Sequence, residues 1–190
     1  MPRASVREVI VESALTQFHR RGFNACSVED ITTAAGVPKG SFYNHFKSKE
    51  DLGAEVVRRY GESSSFRAPV PDSLSPLEEL RARFHATRER LVTNEFRQGC
   101  LLINMGAEVA DHSPVIRAEV ETSLGNWSHR VADLLREAGA TGELSGDLDP
   151  DLLAGFVIDA WEGAITRAKV MRSPTPLDDF FTVVFDRLLR

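Results

Sequence analysis

Cysteine is scarce in this sequence: Cys26 and Cys100 are the only two in 190 residues. Two cysteines so far apart make neither a disulfide framework nor a thiolate zinc site, and they suit a reducing compartment. The histidines at 19, 45, 85, 112 and 129 never recur at the i, i+4 spacing that puts two imidazoles on one helix face. No metal site and no cofactor is therefore expected. No alternating valine-rich run reads as a strand, so there is no strand for a glycine-rich phosphate loop to follow. No apolar run approaches the ~18 residues a bilayer span needs. Met1-Pro2-Arg3-Ala4 does not look like a secretory leader. A membrane role is excluded on this reading, and a cytoplasmic location is expected. Asp111-His112-Ser113 looks superficially catalytic, but three consecutive residues cannot converge as a relay on one helix face. Ser113 is better used as the cap before Pro114. An enzyme is not expected, since an α-helical enzyme or small-molecule carrier would lack a chemical site here.

What is present is a chain of 42% hydrophobic content, enough for one substantial domain and a small satellite. Its net charge of −5 is unevenly divided. Residues 1 to 60 hold nine Lys/Arg against seven Asp/Glu, and residues 61 to 190 hold fourteen against twenty-one. The head is slightly cationic and the body acidic, a polarity that draws only the head toward phosphates.

Helix starts are well marked beyond Ser75. Ser75-Pro76, Ser113-Pro114, Asp149-Pro150 and Thr175-Pro176 each place a capping side chain before a proline, which has no N–H to waste in the first turn. Together with a start near Gly99-Cys100, they predict helices over 76–95, 100–110, 114–138, 150–172 and 176–189. With four more in the head, the fold is all-α with about nine helices. Gly61 to Ser75, rich in Ser and Pro, reads as the flexible connection.

The most informative stretch is Gly36-Val-Pro-Lys-Gly-Ser-Phe-Tyr-Asn-His-Phe-Lys-Ser-Lys49. Ser27 caps a helix whose apolar positions are Val28, Ile31, Ala34 and Ala35, and Gly36 ends it. Pro38 starts a second helix on which Phe42 and Phe46 share the buried face. Gly40 and Asn44 then point outward, with Ser41 and Tyr43 on either flank. Lys39, Lys47 and Lys49 give this segment three cations and no acid before Glu50. Ser48 caps the helix that follows. An ordinary αα corner with a solvated basic edge is the plain alternative. The arrangement fits the recognition helix of a helix-turn-helix.

From about Ile10 to Tyr60 the sequence resembles the DNA-binding domain of the TetR/AcrR transcriptional repressors. The matching residues are Ala14, Phe18, Gly22, Phe23, Ser27, Ile31, Ala35-Gly36-Val37, Gly40, Phe42-Tyr43, His45-Phe46, Lys49 and Leu52. The resemblance implies that Tyr43, His45 and Lys49 hold phosphates and that Lys39, Gly40, Ser41 and Asn44 face the major groove. Ser27 and Thr33 would add phosphate or base contacts. Cys26 departs from the hydroxyl residue common there, and a small buried thiol is the expected reason. The implied organisation is a DNA-binding domain over 1–47 and an effector-binding and dimerisation domain over 48–190. The helix from Ser48 would be the connecting lever, with Val56 and Val57 packing on the body.

Leu177, Phe180, Phe181, Val184, Phe185 and Leu188 form an apolar stripe on the last helix, and Phe156, Ala160, Ala164 and Ala168 lie at close-packing spacing on the one before. Two such pairs make a four-helix bundle across a twofold axis, the expected homodimer. Inward packing within one chain is the alternative. The resemblance also implies a small-molecule effector site among the middle helices. Phe84, Cys100, Asn104, Trp127 and Trp161 are its candidates, mixing apolar surface with a few polar handles. Gly99-Cys100-Leu101 with Ala107-Glu108-Val109 resembles the branch of repressors that responds to electrophiles or oxidants. That likeness implies a reactive Cys100 with Lys169 nearby, against the ordinary reading of a packed thiol. The expected partners are double-stranded operator DNA, a second copy of the chain, and a small-molecule or electrophilic effector.

Overall fold

The computed structural model describes residues 5–63, 69–71, 73–145 and 148–190. Of the connection expected over Gly61 to Ser75, residues 64–68 and 72 lie outside the described residues. Among the described residues there are nine α-helices and no strand: α1 Val6–Arg21, α2 Val28–Ala34, α3 Lys39–Tyr43, α4 Lys49–Glu62, α5 Pro76–Thr93, α6 Leu101–Val109, α7 Pro114–Thr141, α8 Pro150–Met171 and α9 Thr175–Phe180. The caps are chemical as well as positional. Ser27 and Asp30 form a reciprocal capping box on α2, and Ser75 and Glu78 form another on α5. The Asp149 side chain accepts from Asp151 N–H at the start of α8. At Thr175 the expectation needs correction. Thr175 is already helical, and its own N–H donates to Ser173 Oγ at 3.2 Å.

The last predicted helix is not uniform. After α9 the chain continues as a wider π-helical segment, Phe181–Leu188, in which Leu189 N–H reaches Val184 O, five residues back, at 2.9 Å. The widening accompanies a crowd of rings, with Phe180, Phe181 and Phe185 all packed into the same core.

By their packing the residues fall into two compact units, one of residues 1–62 and 101–124 and the other of 63–100 and 125–190. The first unit is built on Ile10, Phe18, Ile31, Phe42, Leu52, Val56 and Val57, all buried. In it α4 packs on α6, and Gly53 lies where α7 crosses: a Cβ there would sit 2.8 Å from Ile116 Cδ1 and 2.9 Å from Phe23 Cε2. Val56 and Val57 of α4 are buried within this unit.

The second unit centres on Phe84, whose ring lies 5.0 Å from Trp161, 5.2 Å from Phe180 and 5.9 Å from Phe185. This corrects the apolar stripe. Leu177, Phe180, Phe181, Val184 and Phe185 turn inward within one protomer, and Leu188 is partly buried against the same core. Ala164 and Ala168 are likewise buried, and Ala160 is half-buried. The physical reason is that Phe84 and Trp161 need a lid, and these side chains supply it. The large apolar groups left outside on α8 and the last segment are Leu152, Phe156, Val170, Met171 and Val183, with Phe156 56% exposed.

Candidate nucleic-acid interface and effector region

Gly36 ends α2 with φ +67, a left-handed geometry that glycine adopts without a steric penalty. Val37 N–H donates back to Thr32 O at 3.0 Å, closing the turn. Pro38 then begins the five-residue helix α3. Phe42 and Phe46 are buried with ring centroids 5.6 Å apart, which fixes the rotation of α3. Lys39, Gly40, Tyr43, Asn44 and His45 are consequently exposed and Ser41 half-exposed, as the spacing predicts. Tyr43 packs edge-on against Phe42 at 5.1 Å while remaining 60% exposed, so its hydroxyl is held out on a stiff ring. Thr33 is exposed on α2 as well.

Three of the expected contacts have other commitments in this structure. Lys39 pairs with Glu29 at 3.1 Å, an exposed ion pair that a phosphate or base can displace. The Ser27 hydroxyl accepts from Asp30 N–H and donates to Asp30 Oδ2 at 2.6 Å, and that donation, then the one from Ser27 N–H, then Arg21, hold the Asp30 carboxyl down at about 2. Lys49 Nζ donates to Phe23 O and Cys26 O, both at 3.0 Å, and sits 4.1 Å above the Phe23 ring. A half-buried ammonium needs acceptors, and the turn between α1 and α2 supplies them. Lys49 is therefore a brace for that turn. Cys26 is fully buried, and burial pushes its thiol up, in keeping with a packing role.

The same turn is held from its other side by a residue that sequence reasoning quoted only in passing. Glu108 on α6 accepts from Phe23 N–H at 2.8 Å and Asn24 N–H at 2.6 Å. Gly22, at φ +84, lets it approach: a Cβ there would lie 2.9 Å from Glu108 Oε2. No local pattern points to a contact across 85 positions.

In the second unit Phe84 and Trp161 are fully buried, Trp127 is half-buried at 6.4 Å from Phe84, and Cys100 is buried just ahead of α6. Asn104 and Lys169 are half-buried, and Asn104 groups with the first unit. Glu162 was missed. It is 6% exposed, and burial raises its pKa to about 7, with a hydrogen bond from Cys100 and then the charge of Arg90 pulling the other way. A signal existed: Ile158, Glu162 and Ile165 share one face of α8, and an acid on an apolar face needs a reason.

The chain matches the family model for bacterial regulatory proteins of the tetR family over residues 10–56, and the model described as tetracyclin repressor-like, C-terminal domain, over 76–184. It is 41% identical to the HTH-type transcriptional repressor DhaR of Mycobacterium sp. (strain GP1), covering 100% of this chain and 95% of that one. It is 38% identical to the transcriptional regulator AcuR of Cereibacter sphaeroides, covering 94% and 84%. Among solved structures, a regulatory protein TetR from Rhodobacter sphaeroides superposes with TM-score 0.85 at 37% identity over 94% of this chain and 96% of that one. The reduced form of NemR from E. coli superposes with TM-score 0.78 at 26% identity over 95% and 96%.

Proposed function

This chain belongs to the tetR family of bacterial regulatory proteins, and we propose that it is a homodimeric transcriptional repressor that reads a palindromic operator and lets go when its body takes up an effector. The observation that carries the DNA reading is the rotation of α3. With Phe42 and Phe46 buried, Lys39, Gly40, Tyr43 and Asn44 form one exposed face on a short helix behind a tight turn. Tyr43 and His45 reach phosphates, and Lys39, Ser41 and Asn44 reach base edges. Ser27 and Thr33 stand on the flank of the same surface. Lys49 acts mainly by fixing the turn that carries Ser27.

Two copies give two such faces, and a spacing of ~34 to 36 Å sets them on successive major grooves. The apolar side chains available to a twofold partner are those α8 and the last segment leave outside, Leu152, Phe156 and Val183, with Ala160 and Gly163 permitting close approach. The effector region is the surroundings of Phe84, Trp127 and Trp161, with Cys100 buried in the same unit. An effector that prefers the released state by ~1 to 3 kcal/mol changes operator affinity between several-fold and about a hundredfold.

The test is a mobility shift with duplex DNA flanking the chain's own gene, titrated with salt. Retardation that weakens steeply with salt supports the reading. No retardation of any flanking duplex by protein that is folded and dimeric defeats it.

A further inference from the structure

Among the described residues, the residues other than glycine with positive φ are Glu95 at +56, Phe96 at +57 and Arg172 at +51. A side chain in that conformation carries a steric cost, and residues held so gather at ligand clamps and other working surfaces. All three line one open cleft of about 530 Å³, with Val92 and Arg97 completing its wall. The lining belongs wholly to the second unit and shares no residue with the region around Phe84, Trp127 and Trp161.

The cleft lies where α5 and α8 end, and the last carbonyls of a helix carry a partial negative charge that would repel an anion. Arg172 answers that charge. Its Nη1 donates to Phe96 O at 2.6 Å and to Glu95 O at 3.3 Å, while among the described residues its Nε and Nη2 make no hydrogen bond. Arg97 turns Nε and Nη2 to a single oxygen of Glu95, at 3.0 Å and 2.7 Å. The two side chains of that pair are 74% and 71% exposed, so water competes for both and the pair is held weakly. Two guanidinium groups thus face one carboxylate, a cationic spot on a body that is otherwise acidic. Beside them Val92, 37% exposed, and Phe96 supply an apolar wall.

We propose that this cleft binds a small organic carboxylate with an apolar body. The ligand's carboxylate takes the edge of Arg97 that Glu95 now holds, Arg172 donates to it from Nε or Nη2, and the apolar part lies on Val92 and Phe96. A planar guanidinium edge matches the two oxygens of a carboxylate, and Glu95 already displays the contact in tethered form. Glu95 is therefore an internal occupant that a diffusible carboxylate displaces. An inorganic oxyanion meets the same charges and gains nothing from the apolar wall.

The test titrates full-length protein without DNA with sodium benzoate up to about 50 mM at constant ionic strength. Heteronuclear NMR follows the arginine Nε–H signals and the backbone amides of Glu95, Phe96, Arg97 and Arg172. Benzyl alcohol, of similar shape without the charge, and inorganic phosphate, charged without the apolar body, are titrated in parallel. The expected result is saturable movement of these signals by benzoate with a Kd of about a millimolar, and no saturation with either control. Glu95→Gln removes the internal competitor and should tighten benzoate by about two- to fivefold. Arg97→Gln should weaken it at least about fivefold. Wild-type protein that shows no saturable movement overturns the proposal, and that result needs no variant to fold. So does an equal response to phosphate or benzyl alcohol, a Glu95→Gln protein that binds no tighter, or an Arg97→Gln protein that binds like wild type. A purely structural Glu95–Arg97 pair predicts no gain from Glu95→Gln. The site goes beyond the operator reading, and because the titration contains no operator, either can fail without the other.

Discussion

Glu108 and Phe23 lie 85 positions apart and are joined by a hydrogen bond of 2.8 Å from the Phe23 amide to the Glu108 carboxylate. With the second bond to Asn24, α6 holds the turn that leads into α2, while Lys49 holds the same turn's carbonyls. The surface proposed to read the operator is thus braced by residues that lie outside it. Glu108→Ala leaves two turn amides without their acceptor and is expected to lower stability by about 1 to 3 kcal/mol. Operator affinity should fall with it, while α3 side chains stay unchanged. Chemical denaturation and mobility shift on the same preparation check both, and an unchanged midpoint would refute the role.

Gly53→Ala places a methyl against Ile116 and Phe23 at distances under 3.0 Å. The clash is with a packed core, so the expected loss is about 1 to 3 kcal/mol by thermal or urea unfolding. Gly40→Ala meets nothing within 4 Å and should leave stability nearly unchanged while weakening operator binding, since its outward face is then no longer bare.

Tyr43→Ala removes an exposed ring and should barely move the unfolding midpoint. Operator affinity is expected to drop across all sequences alike. Asn44→Ala or Lys39→Ala should instead shift sequence preference, by about 1 to 3 kcal/mol per lost base contact, as read from binding to a panel of half-site variants.

Phe156→Asp and Leu177→Ala separate the outside of the body from its inside. Phe156 is 56% exposed, so its aspartate variant should keep a folded protomer and lose the dimer in analytical ultracentrifugation. Leu177 is fully buried, and its truncation should cost about 2 to 5 kcal/mol of protomer stability. A Phe156→Asp dimer as tight as wild type would show that α8 joins the partner by another face.

Glu162 gives the body a pH dependence of defined sign. Its carboxyl is raised from 4.5 to about 7 on folding, so the folded state holds the proton more tightly than the unfolded chain. Below the unfolded value both states are protonated and there is no penalty. As pH rises from there through about 7 the unfolded chain gains, and above that range the folded protein bears the full cost, on the order of 3 kcal/mol. Glu162→Gln should therefore match wild type near pH 4.5 and exceed it increasingly toward and above neutrality. Parallel unfolding curves over the whole range would contradict the burial of an ionisable group there.

The exposed face of α3 was legible because its logic is local. Phe42 and Phe46 recur at helical spacing, Gly36 and Pro38 punctuate, and the remaining positions of α3 follow by rotation. Capping residues set before a proline, such as Ser75-Pro76, are local too, and they marked the helix starts. The last helix misled because an apolar stripe has the same pattern whether a partner or its own protomer covers it. Tertiary packing decided that Phe180 and Phe185 close over Phe84, and thereby left Phe156 outside.

By itself, then, the order of residues determined the helices, their ends and which side of α3 is bare, because periodicity and capping act over a few residues. Folding in three dimensions alone decided that Glu108 grips a distant turn and that Lys49 braces the same turn from another side. Those contacts join positions whose separation along the chain carries no trace of their meeting, and burial, which gives each of them its strength, exists only after the chain has closed.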